Sequence, residues 1–197
     1  MMRMYAAMAL LLTVASAAAR ADDRALGEQL QADVRTLLEA SYGTDPEPVL
    51  RLTHPAIIEE LGGSDKARAS FRQAMSTVKR VGLKIEKFEF PAPPTFVEGE
   101  RRRFAIIPTR LVVSAGGQQL DSRNFQVGVY DPIEKKWTYV EGSKFDAKLR
   151  SRYFKDFPAD YEFPVATRLG EAGAGESGKA TPEEGTTGES GARPVSK

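Results

Sequence analysis

Few residues in this chain have side chains suited to nucleophilic or metal chemistry. The 197 residues include a single histidine, His54, and no cysteine. Without cysteine there can be no disulfide, thiol nucleophile or zinc knuckle, so a catalytic triad or histidine metal site would depend on His54. His54 directly precedes Pro55 at the restart of a helical pattern, where histidine more often caps or packs than reacts. We therefore expect a mainly structural His54, and we predict no metal and no cofactor.

A second group of reactive side chains lies on a late strand and its neighbours. Alternation along the strand places Trp137, Tyr139 and Glu141 on one face. The hydroxyl and carboxylate could bind a ligand or exchange protons with it, and Arg110 or Arg123 on nearby strands could hold an anionic group. In the alternative interpretation, which we favour, the aromatic rings fill the interior while the charged groups stay at the surface.

The chain also contains one match to the phosphate-loop pattern, at residues 173–179. The next residue is Ala180, so the hydroxyl that would bind Mg²⁺ is missing. No buried strand leads into the motif, and Pro182 disfavours the helix whose N-terminus would bind phosphate. We interpret the match as a product of glycine-rich composition.

The first 21 residues have the pattern of a secretory signal peptide. A basic residue, Arg3, precedes an apolar run at 6–19, and the small-x-small triplet 19–21 follows. The apolar run is shorter than the roughly 20 residues that a membrane-spanning helix needs. We therefore expect cleavage after Ala21, a periplasmic or secreted protein, and no membrane association after cleavage.

The other end of the chain has a composition typical of disorder. Residues 170–197 contain no aromatic side chain and consist mostly of Gly, Glu, Ser, Thr, Ala and Pro. We predict a disordered tail there, which leaves 22–169 as one domain. The formal net charge of the whole chain is +1, so charge makes no case for a nucleic-acid partner.

Apolar residues at helical spacing predict three helices in the first part of the domain. The first begins at Asp22-Asp23 and ends at Gly43. The second covers about 45–61 and restarts at Thr53-His54-Pro55, and the third covers 64–81. Together these helices would present one apolar face each to a common core.

The periodicity then changes to two, which predicts an antiparallel sheet. A change of parity near Glu86-Lys87 indicates a bulge, and Pro108 indicates a sheet edge or another bulge. Gly116-Gly117 predicts a hairpin, and packing residues within 145–164 predict a closing segment. The order indicates an α+β fold whose helices cover one face of the sheet. The predicted strands lie near 83–90, 96–97, 104–113, 120–130 and 136–141.

Three stretches carry a resemblance to a known family. They are Thr53 to Gly63, Trp137 to Val140, and the two Phe-Pro pairs at 157–158 and 163–164. Over residues 24–166 the chain resembles the nuclear transport factor 2-like superfamily, and more narrowly a group of exported, uncharacterised bacterial members. The resemblance implies N-terminal helices packed on a strongly curved antiparallel sheet, in a cystatin-like cone with a pocket in its wide end.

The resemblance implies a fold more than an activity, because the superfamily includes isomerases, dehydratases and many non-enzymatic binding domains. No catalytic set carries over residue by residue. If one sheet face lines the cone, the candidate ligand-binding residues are Tyr42, His54, Arg110, Trp137, Tyr139 and Glu141.

Three functional hypotheses follow from these observations. The leading one is an exported, non-catalytic domain that binds a small molecule or a protein partner. The second is a small-molecule acid–base enzyme of the isomerase or dehydratase type, in which a pocket carboxylate such as Glu141 works with Tyr139 or His54. The third is a scaffold that forms a homodimer through the sheet face.

Overall fold

A computed structural model describes the backbone of residues 3–167 and the side chains of residues 22–167. Helix α1 spans Arg3–Ser41, and it is followed by α2 (Glu47–Leu52), α3 (Pro55–Glu60) and α4 (Ser64–Arg80). Five strands come next: β1 (Lys84–Glu89), β2 (Thr95–Glu98), β3 (Arg103–Ala115), β4 (Gln118–Asp131) and β5 (Lys136–Glu141). A 3₁₀ turn at Gly142–Lys144 and helix α5 (Ala147–Tyr153) complete the set of elements.

The five strands form one open antiparallel sheet. Its order is β1-β3-β4-β5, and β2 pairs with β3 as well. The far edge of β5 is covered by the α2–α3 junction, where the backbone N–H of His54 donates to the carbonyl oxygen of Tyr139 at 2.9 Å. The predicted α+β class with an antiparallel sheet is therefore confirmed.

The helices agree with the predicted pattern except at the start of the first one. The second helix is interrupted at Thr53-His54, as predicted, because His54 and Pro55 restart it as α3. The first helix does not begin at Asp22-Asp23. It is continuous from Arg3, in keeping with the high helix propensity of the alanine-rich residues that precede position 22.

Two irregularities predicted in the sheet have clear structural counterparts. The β1–β3 register shifts between Ile85 and Lys87, which is the predicted bulge. Pro108 lies in the middle of β3, paired with Phe125 of β4. On its other side β3 pairs with β2 only up to Ile106 and with β1 only from Arg110 onwards. Pro108 therefore occupies a gap where β3 is locally an edge, and its missing N–H costs no ladder bond there.

The helices pack on one sheet face, and a second core covers the opposite face. The helix-side core joins residues such as Leu30 and Met75 to Ala105, Ile107 and Tyr139 of the sheet. On the opposite face the closing segment packs against the alternate sheet residues, which include Phe104, Ile106, Val127, Val129 and Val140. Both faces of the sheet are thus covered within one chain, whereas the sequence pattern indicated a cover of helices on one face only.

The closing segment is anchored by Arg102, which lies in the loop between β2 and β3. Arg102 lies 5.7 Å from the ring centre of Phe104 and 5.2 Å from that of Phe154. Its guanidinium donates to both carboxylate oxygens of Asp156, through Nε at 3.0 Å and through Nη2, and also to the carbonyl oxygen of Tyr153 at 2.8 Å. Position 102 is therefore part of the core's edge, because a buried carboxylate needs a charged partner.

Two of the predicted segments, the leader and the C-terminal tail, lie wholly or partly outside the residues that the structure describes. The predicted tail at 170–197, with the glycine-rich motif at 173–179, lies outside the described residues, as do the side chains of the leader. Within residues 3–167, no helix combines the length and the apolar character that a membrane crossing requires.

Candidate functional site

A cavity of about 740 Å³ lies between the helices and the sheet face that they cover. Strands β3, β4 and β5 supply one wall, through side chains that alternate with those of the second core. The opposite wall comes from α1, α2 and α4. The volume is within the range of about 300–1,000 Å³ that is typical of small-molecule sites.

The sheet wall of the cavity is a row of polar side chains. Thr109 of β3 is directly opposite Asn124 of β4, and Gln126 of β4 is opposite Glu141 of β5. All four side chains line the cavity. Paired positions project to the same face of a sheet, so strand register alone brings these groups side by side.

The helix wall is apolar in contrast. It is formed chiefly by aliphatic and aromatic residues of α1, of α4 and of the turn after α4, namely Leu37, Leu38, Phe71, Val78 and Leu83. These residues repeat at helical spacing in α1 and α4, so the same amphipathic pattern that folds the helices also supplies the apolar wall. A guest in the cavity would meet polar groups on one side and hydrocarbon on the other.

The mouth of the cavity is charged. All the exposed residues of the lining are ionisable, and they come from the end of α3 and from positions 141–152: Glu60, Glu141, Lys144, Asp146, Lys148 and Arg152. Arg152 pairs with Glu60 at 2.6 Å, and Asp146 caps α5 by accepting from the N–H of Leu149 at 2.8 Å. The opening therefore carries both acidic and basic side chains.

Three of the six predicted binding residues line this cavity: Tyr42, Tyr139 and Glu141. The Tyr139 hydroxyl donates to Asp33 Oδ2 at 2.9 Å, and burial together with that carboxylate raises the pKa of Tyr139. Burial, with a smaller contribution from the charge of Glu141, also raises the pKa of Tyr42. Both phenols are therefore neutral at physiological pH.

His54 does not contribute to the cavity lining. Its Nδ1 accepts a hydrogen bond from the backbone N–H of Ala56 at 3.0 Å and so caps α3. Its ring packs edge-to-face on Phe154, with ring centres 4.9 Å apart. Burial, reinforced by the charge of Arg102, lowers the pKa of His54 to about 4. The imidazole thus serves packing and capping in its neutral form.

Arg110 and Trp137 also lie outside the lining. Arg110 projects from the other face of β3, where it pairs with Asp121 at 2.7 Å and with Glu89 at 3.2 Å. Trp137 belongs to the helix-side core, packed near Phe96 and Tyr130 and directly over Gly128. The structure therefore brings Tyr42, Tyr139 and Glu141 together and places His54, Arg110 and Trp137 elsewhere.

Sequence motifs did not predict several polar residues at this site, among them Thr109, Asn124 and Gln126 of the lining and Asp33, which holds Tyr139. Only 4% of Thr109 and 5% of Gln126 is exposed. A signal for two of them was present, because Asn124 and Gln126 alternate with Phe125 and Val127 along β4. Polar residues at every second position between apolar ones predict a strand whose second face meets water or a ligand.

The described residues contain no group of three or more His, Asp or Glu side chains placed to hold a metal ion. Comparison of the chain with models of protein families, with curated proteins and with solved structures found no match. The geometry of the cavity is therefore the basis for the functional conclusion.

Proposed function

We propose that this chain is a binding protein for a small amphipathic molecule, held in the cavity between the helices and the sheet. We propose with it that the domain is an exported member of the nuclear transport factor 2-like superfamily, with the leader cleaved after Ala21. The order of helices and strands, and a cavity on the helix-covered sheet face, support that assignment. Periplasmic or secreted location rests on the leader pattern alone.

Two buried polar side chains carry the binding proposal. Thr109 and Gln126 are almost completely buried, and neither side chain makes a hydrogen bond to another described residue. Within the described residues, neither side chain contributes a fully buried N or O atom without a partner, so their polar atoms stay accessible to water or a guest in the cavity. Both groups line the cavity, so a guest with hydrogen-bonding atoms along one edge would satisfy them.

The apolar wall formed by the helices determines the character of the guest's opposite surface. Leu38, Phe71 and Leu83 offer no hydrogen bonds, so the surface that faces α1 and α4 must be apolar. A molecule with one polar edge and one apolar face is amphipathic. Neither a simple ion nor a fully hydrated sugar has that distribution.

A fluorescent probe with this character tests the proposal. We expect neutral N-phenyl-1-naphthylamine to bind saturably, and Leu111→Trp to weaken binding about tenfold or more because the larger side chain fills the cavity. Leu120→Trp is the matched control, since Leu120 also lies in the sheet but outside the lining. Non-saturable binding, or equal weakening by both substitutions in folded protein, would contradict the proposal.

The acid–base alternative has less support from the geometry. It requires a carboxyl group shielded from water, whereas Glu141 is one of the exposed residues of the lining. The Tyr139 hydroxyl is already committed to Asp33, and His54 lies outside the cavity. Binding without turnover is the function that these contacts favour.

The interaction alternatives are also less favoured. A homodimer through the sheet face would need an apolar sheet surface, but helices and the closing segment cover the two faces. The large apolar side chains exposed in the described part of the chain are Val81, Ile133 and Val165, on three separate loops. Scattered exposed residues of this kind are normal on monomeric proteins.

A further inference from the structure

The mouth of the cavity contains a carboxylate, Glu141, with one unused oxygen. Glu141 accepts hydrogen bonds from Asn124 Nδ2 at 3.1 Å and from the Ser143 hydroxyl at 2.9 Å. Both bonds end on Oε1, and within the described residues Oε2 accepts none. The carboxylate is thereby oriented by two donors while its second oxygen stays open to a guest.

Two aromatic rings line the cavity with this carboxylate. Tyr139 lies two residues before Glu141 on the same face of β5, and Tyr42 follows the end of α1. The charge of Glu141 acts on Tyr42, and the Asp33 carboxylate holds the hydroxyl of Tyr139. Each phenol is thus influenced by a carboxylate: Tyr42 by Glu141, which is exposed at the mouth, and Tyr139 by the half-buried Asp33.

The basic residues of the lining lie at the exposed mouth, as Glu141 does. Arg152 is engaged with Glu59 and Glu60. Lys144 and Lys148 make no ion pair within the described residues, but both are exposed and strongly hydrated. These two lysines would attract an anionic guest. Preferential binding of an anion is therefore the alternative result that the experiment below must distinguish.

We propose that Glu141, together with the ring of Tyr42, binds the protonated amine of an amphipathic ligand. The inference rests on the proposed binding function and adds the charge of the guest. A carboxylate and an aromatic ring that line one cavity can recognise an ammonium group together, through a charge-assisted hydrogen bond and cation–π attraction. The apolar remainder of the ligand would lie along the α1 and α4 wall.

Three probes of equal chain length separate the charge of the guest from its apolar part. Calorimetric titration at pH 7 would compare dodecylammonium, dodecan-1-ol and dodecanoate, the two ions below their critical micelle concentrations and the alcohol below its solubility limit. We expect the ammonium to bind about fivefold or more tightly than the alcohol, and the carboxylate to bind more weakly than both. In Glu141→Gln, which keeps an acceptor for Asn124 and Ser143, the preference for the ammonium should disappear.

Matched variants exclude a structural explanation. Glu100→Gln alters an exposed carboxylate outside the lining and should leave all three affinities unchanged. Tyr42→Phe should retain the ammonium preference because the ring remains, whereas Tyr42→Leu should reduce it. Far-UV circular dichroism would establish that each variant is folded.

The other outcomes overturn the inference in distinguishable ways. Tighter binding of dodecanoate that is weakened by Lys144→Gln and Lys148→Gln would uphold the cavity as a binding site but assign an anionic guest. Equal affinity for all three probes would mean that the cavity binds the apolar chain without regard to the charge of the head group. That result would contradict the inference but not the proposed function. Absence of binding by every probe, and by N-phenyl-1-naphthylamine, would remove the proposed function and this inference together.

Discussion

At the scale of single residues, His54 shows how position decides the role of a reactive side chain. Its backbone N–H joins β5, its Nδ1 caps α3, and its ring packs on Phe154. The cap requires the neutral imidazole, because protonation of Nδ1 would remove the acceptor of the Ala56 N–H. Burial in this setting lowers the pKa of His54 to about 4, well below its ordinary value of 6.5.

This pKa predicts a specific dependence of stability on pH. Because the folded state binds the proton more weakly than the unfolded state, the contribution of His54 is fully present above pH 6.5 and is lost as pH falls towards 4. The loss should reach about 2–3 kcal/mol in the free energy of unfolding. Urea denaturation between pH 7 and pH 4 would measure it, and NMR of this single histidine would give the titration midpoint directly.

His54→Asn is the matched control for that titration. Asparagine can cap α3 in place of the imidazole but does not ionise in this range. The part of the pH dependence that belongs to position 54 should therefore vanish in the variant. A midpoint near 6.5 for His54 in the folded wild type would contradict the prediction.

At the scale of elements, the tight turn that follows β5 connects the sheet to the closing segment and so links the two cores. Gly142 follows Glu141 and begins the 3₁₀ turn that leads into the closing segment. A Cβ at this position would lie 2.6 Å from Phe125 Cε2, and Phe125 is itself buried and stacked on Phe163 at 5.3 Å between ring centres. The strand can therefore turn away from the sheet here only because position 142 has no side chain.

Gly142→Ala should accordingly lower the free energy of unfolding by about 1–3 kcal/mol, since the Phe125 ring or the turn must shift to admit the methyl group. Gly27→Ala is the comparison, because its Cβ would meet Pro94 Cδ at an ordinary 3.4 Å inside helix α1. That substitution should raise stability by about 0.5–1 kcal/mol. Thermal and urea unfolding would measure both, and a neutral Gly142→Ala would contradict the proposed steric conflict.

At the scale of the whole molecule, one sheet holds two cores on opposite faces. Leu30 is completely buried on the helix side, and Ile106 is 1% exposed on the side of the closing segment. Neighbouring residues of β3 contribute to both cores, as Ala105 and Ile106 do. Loss of packing on one face therefore loosens the strand that the other face requires, and the two cores should unfold together.

Leu30→Ala and Ile106→Ala should each destabilise the protein by about 2–5 kcal/mol while leaving a single transition. The fluorescence of Trp137, the only tryptophan, reports the helix-side core, so its transition should shift in Ile106→Ala as well as in Leu30→Ala. Ile133→Ala, at a side chain that is 89% exposed, should change stability by less than about 0.5 kcal/mol. A Trp137 transition that Ile106→Ala leaves unchanged would indicate independent cores.

Local patterns in the sequence predicted most elements of this fold, although not the start of α1 or the helix α5. Periodicity and glycine or proline signals predicted the break at Thr53-His54, the bulge near Glu86-Lys87 and the hairpin at Gly116-Gly117, where both glycines have positive φ. These features depend on steric preferences of a few adjacent residues, which a sequence displays directly. The same local alternation placed Tyr139 and Glu141 on one face of β5.

The tertiary structure alone decided which of the reactive residues meet. Arg110 and Thr109 are adjacent in sequence, yet one pairs with acids on the outer part of the sheet and the other lines the cavity. Gln126 comes beside Glu141, and Asp33 reaches Tyr139, only through pairing and packing of segments far apart in the chain. Strand register and the helix placement set those distances, and a shift of one residue would exchange the two faces.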